Sequence, residues 1–442
     1  PQIFVMLDDR HFPSHSSSGA SAWPHRSAAC SDRPTHSYAC GPTMVRRSLF
    51  CTVFSQAAPS CMPTLPGMLC TAVVFLAAAG CGRSASEPAE TLAETEPADI
   101  GSLCERIDTV LAHARDARQL NTTDHAAWQV VHGILAFGDA FPVSHDGTTS
   151  SALEYLLSGG QLTGWTLRPG SAGVMAVLDP GSKTGQGHPD QWLGYLSQCS
   201  LDGLPPDVEI SAGGETYRVA DLLSQAKHDL RNGQEATWTL MALSTYLPTD
   251  AVWTAGDGTE WTLEKLVAME ASADLAESAC GGSHRLYGLT VAMNRYLAAS
   301  GLTPDELSGG WADAETRIQE AIEQARRYQQ PDGSFSTSFF ERPSTSPDVF
   351  ARIGSTGHTF EFLAMALETE RLQEPWVRRA ADALVTLLEQ TADVPVECGG
   401  LYHAAHGLVL YQARTCGAMP AEPENNVAVV SDAAATLLPP TR

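Results

Sequence analysis

Positive charge is scarce: 27 Lys and Arg stand against 51 Asp and Glu in 442 residues, a formal net charge of −24. The imbalance deepens beyond Cys81, because residues 1–81 hold five Arg and three Asp and leave 22 basic against 48 acidic residues for the rest. That excess argues against nucleic acid and against an anionic lipid surface as partners. Cysteine is sparse where a fold has to be. Six of the eleven lie at or before Cys81, leaving Cys104, Cys199, Cys280, Cys398 and Cys416. Five cysteines in a large domain make no disulfide framework, and at most one or two bridges are expected. The apolar run at 68–80 has the length of a signal-peptide core and is too short to span a bilayer comfortably.

The chain opens on Pro1, and residues 1–61 are Ser-, Pro- and His-rich with no sustained apolar period. They read as upstream or leader sequence, with Met44 or Met62 as a start. Residues 62–81 read as a signal peptide ending in Ala78, Ala79, Gly80 and Cys81. This ending resembles a bacterial lipobox, which implies that Cys81 is lipidated and that the protein is exported and anchored to a membrane of the cell envelope. An ordinary secretory signal with a chance cysteine is the alternative. Residues 82–97 are rich in Ser, Glu, Pro and Ala and read as a tether. The fold is expected over 98–418, with a disordered tail at 419–442.

Internal repetition organises that domain. A turn, then His or a small residue, then an apolar helix recurs at 282–292, 356–366 and 401–411, and more loosely at 124–137 and 235–243. These helices are apolar nearly all round and should be buried. Each follows a more charged, amphipathic segment, as at 102–119, 219–231, 263–275, 314–328 and 376–390. Segments 151–158 and 190–199 make a further pair. The expected fold class is mainly α, an α/α toroid of five to six helical hairpins with inner helices around one axis. Stretches 164–179 and 208–219 read as short β-hairpin insertions.

Gln329, Pro331, Asp332, Gly333, Ser334 and Phe335, followed by the apolar run after Gly357, resemble a repeat of the terpenoid-cyclase and protein-prenyltransferase superfamily. The resemblance implies the toroid fold, with a tight turn at Pro331–Gly333 and Phe335 packed beneath it. It does not extend to chemistry. The sequence has no Asp-x-Asp-Asp motif, no Asp-Asp-x-x-Asp diphosphate motif and no Gly-Cys-Gly-Glu-Gln thioester motif.

If the hairpins close, the first turns of the inner helices converge, and His125, His284, His358 and His403 ring a common mouth. Free helix N–H groups there suit an anionic or carbonyl ligand. The alternative is that each His caps its own helix. His284, His358, His403 and Tyr287 are the candidate catalytic residues. His125, Arg285, Trp238 and Glu361 are candidates for ligand binding. Cys280 and Cys398 each precede Gly-Gly and a helix, and three readings compete for them. They bind zinc with neighbouring His such as His406, which is three residues from His403; they form a disulfide; or they are small buried residues. Polysaccharide lyases, also toroidal, need a base, a proton donor and a carboxylate-neutralising Arg, types that His284, Tyr287 and Arg285 supply. The cluster from Gly187 to Trp192, with His188 and Asp190, is a further polar-aromatic edge.

Two functional classes therefore remain. One is an exported protein binding a small-molecule or glycan ligand at the toroid mouth, with His-based catalysis that either uses zinc or does not. The other is a non-catalytic envelope scaffold that docks a protein.

Overall fold

A computed structural model describes residues 99–179, 187–200 and 203–416. The expected leader, signal peptide with Cys81, tether and tail lie outside the described residues. Helices come in pairs along the chain: α1 (Ile100–Ala112) with α2 (Ala127–Phe137), α3 (Ala152–Leu157) with α4 (Gln191–Leu196), and α5 (Val219–Asp229) with α6 (Thr237–Tyr246). The series continues with α7 (Leu263–Ala271) and α8 (Ser283–Ser300), then α9 (Gly309–Arg327) and α10 (Val349–Ala366). After the single turn α11 (Thr369–Leu372) it ends with α12 (Pro375–Gln390) and α13 (Cys398–Thr415). No helix of the described residues is long and apolar enough to cross a membrane.

The two members of a pair differ in the way their patterning predicts. In α9, Trp311, Ala314, Ile318, Ala321, Ile322 and Ala325 are buried at three- and four-residue spacing, one stripe of an otherwise charged helix. In α6 every residue from Thr237 to Thr245 is buried. The second members pack on one another in succession: α2 on α4, α4 on α6, α6 on α8, α8 on α10, α10 on α13, and α13 back on α2. The first members lie against them, α5 on α4 and α6, α9 on α8 and α10, and α12 on α10 and α13.

Strands are confined to the connections. β1 (Leu120–Asn121) pairs with β2 (Pro142–His145), which turns at Asp146–Gly147 into β3 (Thr148–Ser151). Three further hairpins follow: β4 (Trp165–Pro169) with β5 (Val174–Leu178), β6 (Glu209–Ala212) with β7 (Glu215–Arg218), and β8 (Val252–Thr254) with β9 (Glu260–Thr262). The β4–β5 and β6–β7 hairpins fall in the two predicted insertions. The Pro331–Gly333 turn also forms: Gly333 N–H donates to Gln330 O at 2.9 Å, Gln329 Nε2 donates to Gly333 O and Trp376 O, and Phe335 is buried.

The first and last hairpins are tied together three ways. A disulfide joins Cys104 on α1 to Cys416 just past α13. Arg106 donates to Glu389 Oε1 at 2.8 Å and Thr386 Oγ1 at 2.9 Å, and pairs with Asp382, all on α12. Arg118 donates to the carbonyls of Thr391 and Val394. Cys280 and Cys398, the disulfide partners weighed from sequence, both carry free thiols.

Helices α10 and α13 cross at near backbone contact. A Cβ on Gly407 would stand 2.9 Å from Glu361 N and Cα, and one on Gly357 would stand 3.0 Å from Ala404 N and Cα. Gly407→Ala should therefore push the pair apart and cost on the order of 1–3 kcal/mol. Gly354→Ala on the same α10 meets nothing within 4 Å and should be neutral or stabilising by up to about 1 kcal/mol. Urea midpoints of the two variants check this. Equal midpoints would mean the crossing is not tight.

Candidate functional site

The close crossing of α10 and α13 puts Glu361 between two imidazoles of the same helix face. Glu361 Oε2 accepts from His403 Nδ1 at 2.8 Å, and Oε1 accepts from His406 Nδ1 at 2.7 Å. Residues 403 and 406 are one helical turn apart, so one carboxylate can bridge them. All three are at least nine-tenths buried. Burial raises a carboxyl pKa, but His403 and His406 outweigh it and hold Glu361 well below the usual carboxylate range. Burial pushes His403 down, toward the neutral imidazole.

The chain of contacts continues across the interior. His403 Nε2 lies 3.1 Å from Tyr195 Oη on α4, and Tyr195 Oη lies 3.3 Å from His132 Nε2 on α2. Gln191 Nε2 donates to the same phenol oxygen at 2.9 Å. His132 Nδ1–H is taken by the Trp128 carbonyl, so its Nε2 bears a lone pair. His403, donating from Nδ1, likewise presents a lone pair at Nε2. One phenol proton thus faces two acceptors, and the group is one proton short of full pairing. Burial, and next the nearby His403, push His132 down to about 3; burial lifts the Tyr195 phenol far above its ordinary value.

A second group abuts the first. His284, second residue of α8, stacks on His358 of α10 with ring centroids 4.9 Å apart and 11° between planes. The His403 ring lies 4.2 Å from His358 and 4.7 Å from His284. His358 Nδ1 donates to the Gly354 carbonyl at 2.6 Å. Cys280 sits half-buried beside it, and the donor atoms of Cys280, His284 and His358 all lie within 4.8 Å of one another. Burial opposes both charges, yet the pairing wins. The Cys280 thiol lies below its usual range because of the charge and hydrogen bond of His358, and His358 is raised to about 9 by Cys280. Trp238 meets His284 edge-on at 5.1 Å and stacks on His188 at 4.2 Å, and His188 Nδ1 pairs with Glu235 at 2.9 Å.

Backbone conformation is unusual at the same place. Positive φ at a residue with a Cβ is strained, and the described residues have it at Asp146, Asp190, Cys280 and Phe339. Asp146 is the turn of a hairpin. The other three border the cluster: Cys280 supplies its thiol, Asp190 precedes Gln191, and the Phe339 ring lies over Gly281 and 6.5 Å from His358.

Several sequence expectations are corrected. The imidazoles do not ring the first turns of the helices. His284 is the second residue of α8, but His403 is the sixth of α13 and His358 the tenth of α10, well past the free N–H groups. His125 is not in the cluster: it precedes α2, and its Nδ1 accepts from Asn121 N–H at 3.1 Å. His132, seven residues on, takes that place. Arg285 turns to Glu270 in a buried ion pair, with Glu270 also accepting from Thr237 Oγ1 at 2.9 Å and Ala236 N–H at 3.0 Å; it is not free for a ligand carboxylate. Cys398 and His406 do not join the metal-type trio. The Cys398 thiol is buried, lies 3.6 Å from Gln129 Nε2, and is pushed up to about 11 by burial. His406 is held by Glu361. Tyr287 is buried and donates to Gln198 Oε1 at 3.3 Å.

Tyr287, Gln198, Tyr195, His284, Glu361 and His403 line a cavity of about 10 Å³, about the room one water needs. A larger surface depression of about 270 Å³, lined by Asp313, Thr316 and Arg317, contains none of these residues. Sequence reasoning missed His132, Tyr195 and Gln191 as site residues. The available signal was the His132–Gly133 pair, which matches His406–Gly407, and the polar run at 187–192. No protein-family model matches the chain and no curated protein sequence matches it, so the site's own geometry is what its function must be read from.

Proposed function

We propose that the chain is an exported enzyme built as an α/α toroid of six helical hairpins, with an acid–base centre where the inner helices meet. The reading of the architecture is supported by the succession of second helices, which returns from α13 to α2. Export is supported by the Cys104–Cys416 disulfide, a bond of oxidising compartments. Anchoring through Cys81 rests on the lipobox-like sequence.

The observation that carries the catalytic reading is the bridging of His403 and His406 by Glu361, linked through Tyr195 to His132. Burying a carboxylate and several imidazoles costs stability that an apolar core would not. The Tyr195 phenol stands within hydrogen-bond reach of two imidazole nitrogens, the geometry asked first of an acid–base group. Glu361 orients His403, as a third group orients the base of a nucleophile–base pair. With Arg285 paired to Glu270, a uronate-directed lyase loses the cation it would need, and hydrolysis of an uncharged bond fits better.

The first experiment is a screen of p-nitrophenyl esters and glycosides with wild type, Glu361→Gln and His403→Gln. We expect a hydrolysed class whose rate falls about 100-fold or more in both variants, with the far-ultraviolet circular dichroism retained. Full rate in Glu361→Gln would sink the acid–base reading. The second reading, a non-catalytic scaffold, is favoured by the small volume beside the cluster. It predicts no hydrolysed class and a large fall in Tm for both variants.

A further inference from the structure

We infer that Cys280, His284 and His358 bind a divalent transition metal of the zinc type, at a position that leaves one coordination site open. This deepens the reading of the centre proposed above by adding a metal to it, but the evidence is independent of the Glu361–His403–His406 group.

Three observations carry it. First, the thiol and one nitrogen from each imidazole lie within 4.8 Å of one another. Tetrahedral zinc, with bonds of about 2.0–2.3 Å, holds its ligand atoms about 3.3–3.8 Å apart. Rotamer adjustment of about 1 Å would bring the trio to that spacing. Second, His284 is 6 % exposed and neither ring nitrogen has a hydrogen-bond partner. A buried polar group left without a partner costs free energy and calls for an explanation. The neighbouring imidazoles are all engaged: His132 by the Trp128 carbonyl, His358 by the Gly354 carbonyl, and His403 and His406 by Glu361. Third, the carbonyl of Gly354 holds His358 through Nδ1–H, so that Nε2 is its ligand atom. Metal-ligating histidines are commonly oriented by such a hydrogen bond on the other nitrogen.

The local chain explains how the donors meet. Cys280, Gly281 and Gly282 all have positive φ, at 50°, 60° and 84°. The chain reverses tightly there and delivers the thiol and His284 from one loop and helix start. His358 arrives from the middle of α10. One sulfur and two imidazoles suit zinc, and cobalt as its substitute, better than calcium or magnesium. Three protein ligands are the count of a catalytic rather than a structural zinc site. A metal there would supply a polarised water at the open position. The other thiols among the described residues are poorer donors: Cys199 and Cys398 are pushed up to about 12 and 11 by burial, and Cys104 and Cys416 are bonded to each other.

The test uses the full chain, stripped with a chelator and titrated with cobalt(II). We expect one equivalent to produce a thiolate-to-cobalt charge-transfer band in the near ultraviolet and the intense visible bands of four-coordinate cobalt, both erased by one equivalent of zinc. Cys280→Ser should abolish the charge-transfer band, His284→Phe should weaken binding at least about 100-fold, and Cys398→Ser should leave the spectrum unchanged. A folded wild-type chain with no cobalt spectrum would overturn the inference, as would a charge-transfer band that survives Cys280→Ser. Rapid alkylation of Cys280 by iodoacetamide at neutral pH in such a cobalt-silent chain would show a free thiolate paired with His358 instead. Neither overturning result would touch the Glu361 centre, whose test is the hydrolytic screen.

Discussion

Reducing the Cys104–Cys416 bond, or replacing both cysteines with serine, should move the urea midpoint further than any other single change described here. The two cysteines are 312 residues apart. In the chain-entropy account, cross-linking a loop of that length removes about 5–6 kcal/mol of freedom from the unfolded chain. Whole domains are stable by only about 5–15 kcal/mol. Some of the effect will be lost to residual structure in the reduced, unfolded chain. The Arg106 and Arg118 contacts at the same seam will hold part of the native arrangement in place. The experiment is a pair of urea titrations, with and without a phosphine reductant, the serine double variant serving as the control that reductant should no longer affect. A midpoint that does not move in either would mean the seam is held by its hydrogen bonds and packing alone.

Acid should destabilise the protein in a window where ordinary carboxylates do not titrate. His132 is pushed down to about 3, first by burial and next by His403. Tyr195 and His403 face it directly, with Glu361 and His358 acting at longer range. In the unfolded chain its imidazole takes up a proton near pH 6.5, while in the folded chain it does not. The unfolded state therefore binds more protons below that point, and stability falls as pH falls from 6.5 toward 3. The slope approaches about 1.4 kcal/mol per pH unit for one such group. His403, also lowered by burial, adds to it in the same direction. Glu361, held ionised, contributes once the pH passes below its unfolded value near 4.5. Urea midpoints between pH 7 and 5, taken in chelator, should show the loss. His132→Phe should flatten the curve by about one proton's worth. A flat wild-type curve over that window would mean the imidazoles are protonated in the folded state.

The hairpin pattern was legible in the sequence because a half-buried helix and a fully buried helix have different periodicities, and α9 and α6 show each plainly. The starts of the inner helices were not. Gly357, Gly399 and Gly400 read as turn residues, yet all three lie inside helices, where Gly357 and Gly407 admit the backbone of a crossing helix. That error moved the imidazoles to helix ends in the sequence reading and put them deep in the core in the structure. It also left Glu361 as a candidate for ligand binding and hid its bridge between His403 and His406, which depends on which helix crosses it. His125 and His132 could not be told apart without knowing that α2 starts at Ala127. The hairpin at β8 and β9 went unread, although Trp253 and Trp261 pair across it around an Asp257–Gly258 turn. Five cysteines gave no indication that the most distant two are the bonded pair.

The same bond has a consequence for cleavage. Between Cys104 and Cys416 the chain is a covalently closed loop, so a protease that cuts once at any exposed connection within it releases nothing. Both pieces stay joined through the sulfurs, and the nicked molecule runs as one species until a reductant is added. In a compartment rich in proteases, a cut of that kind leaves the helix pairs packed around the centre with no fragment able to diffuse away.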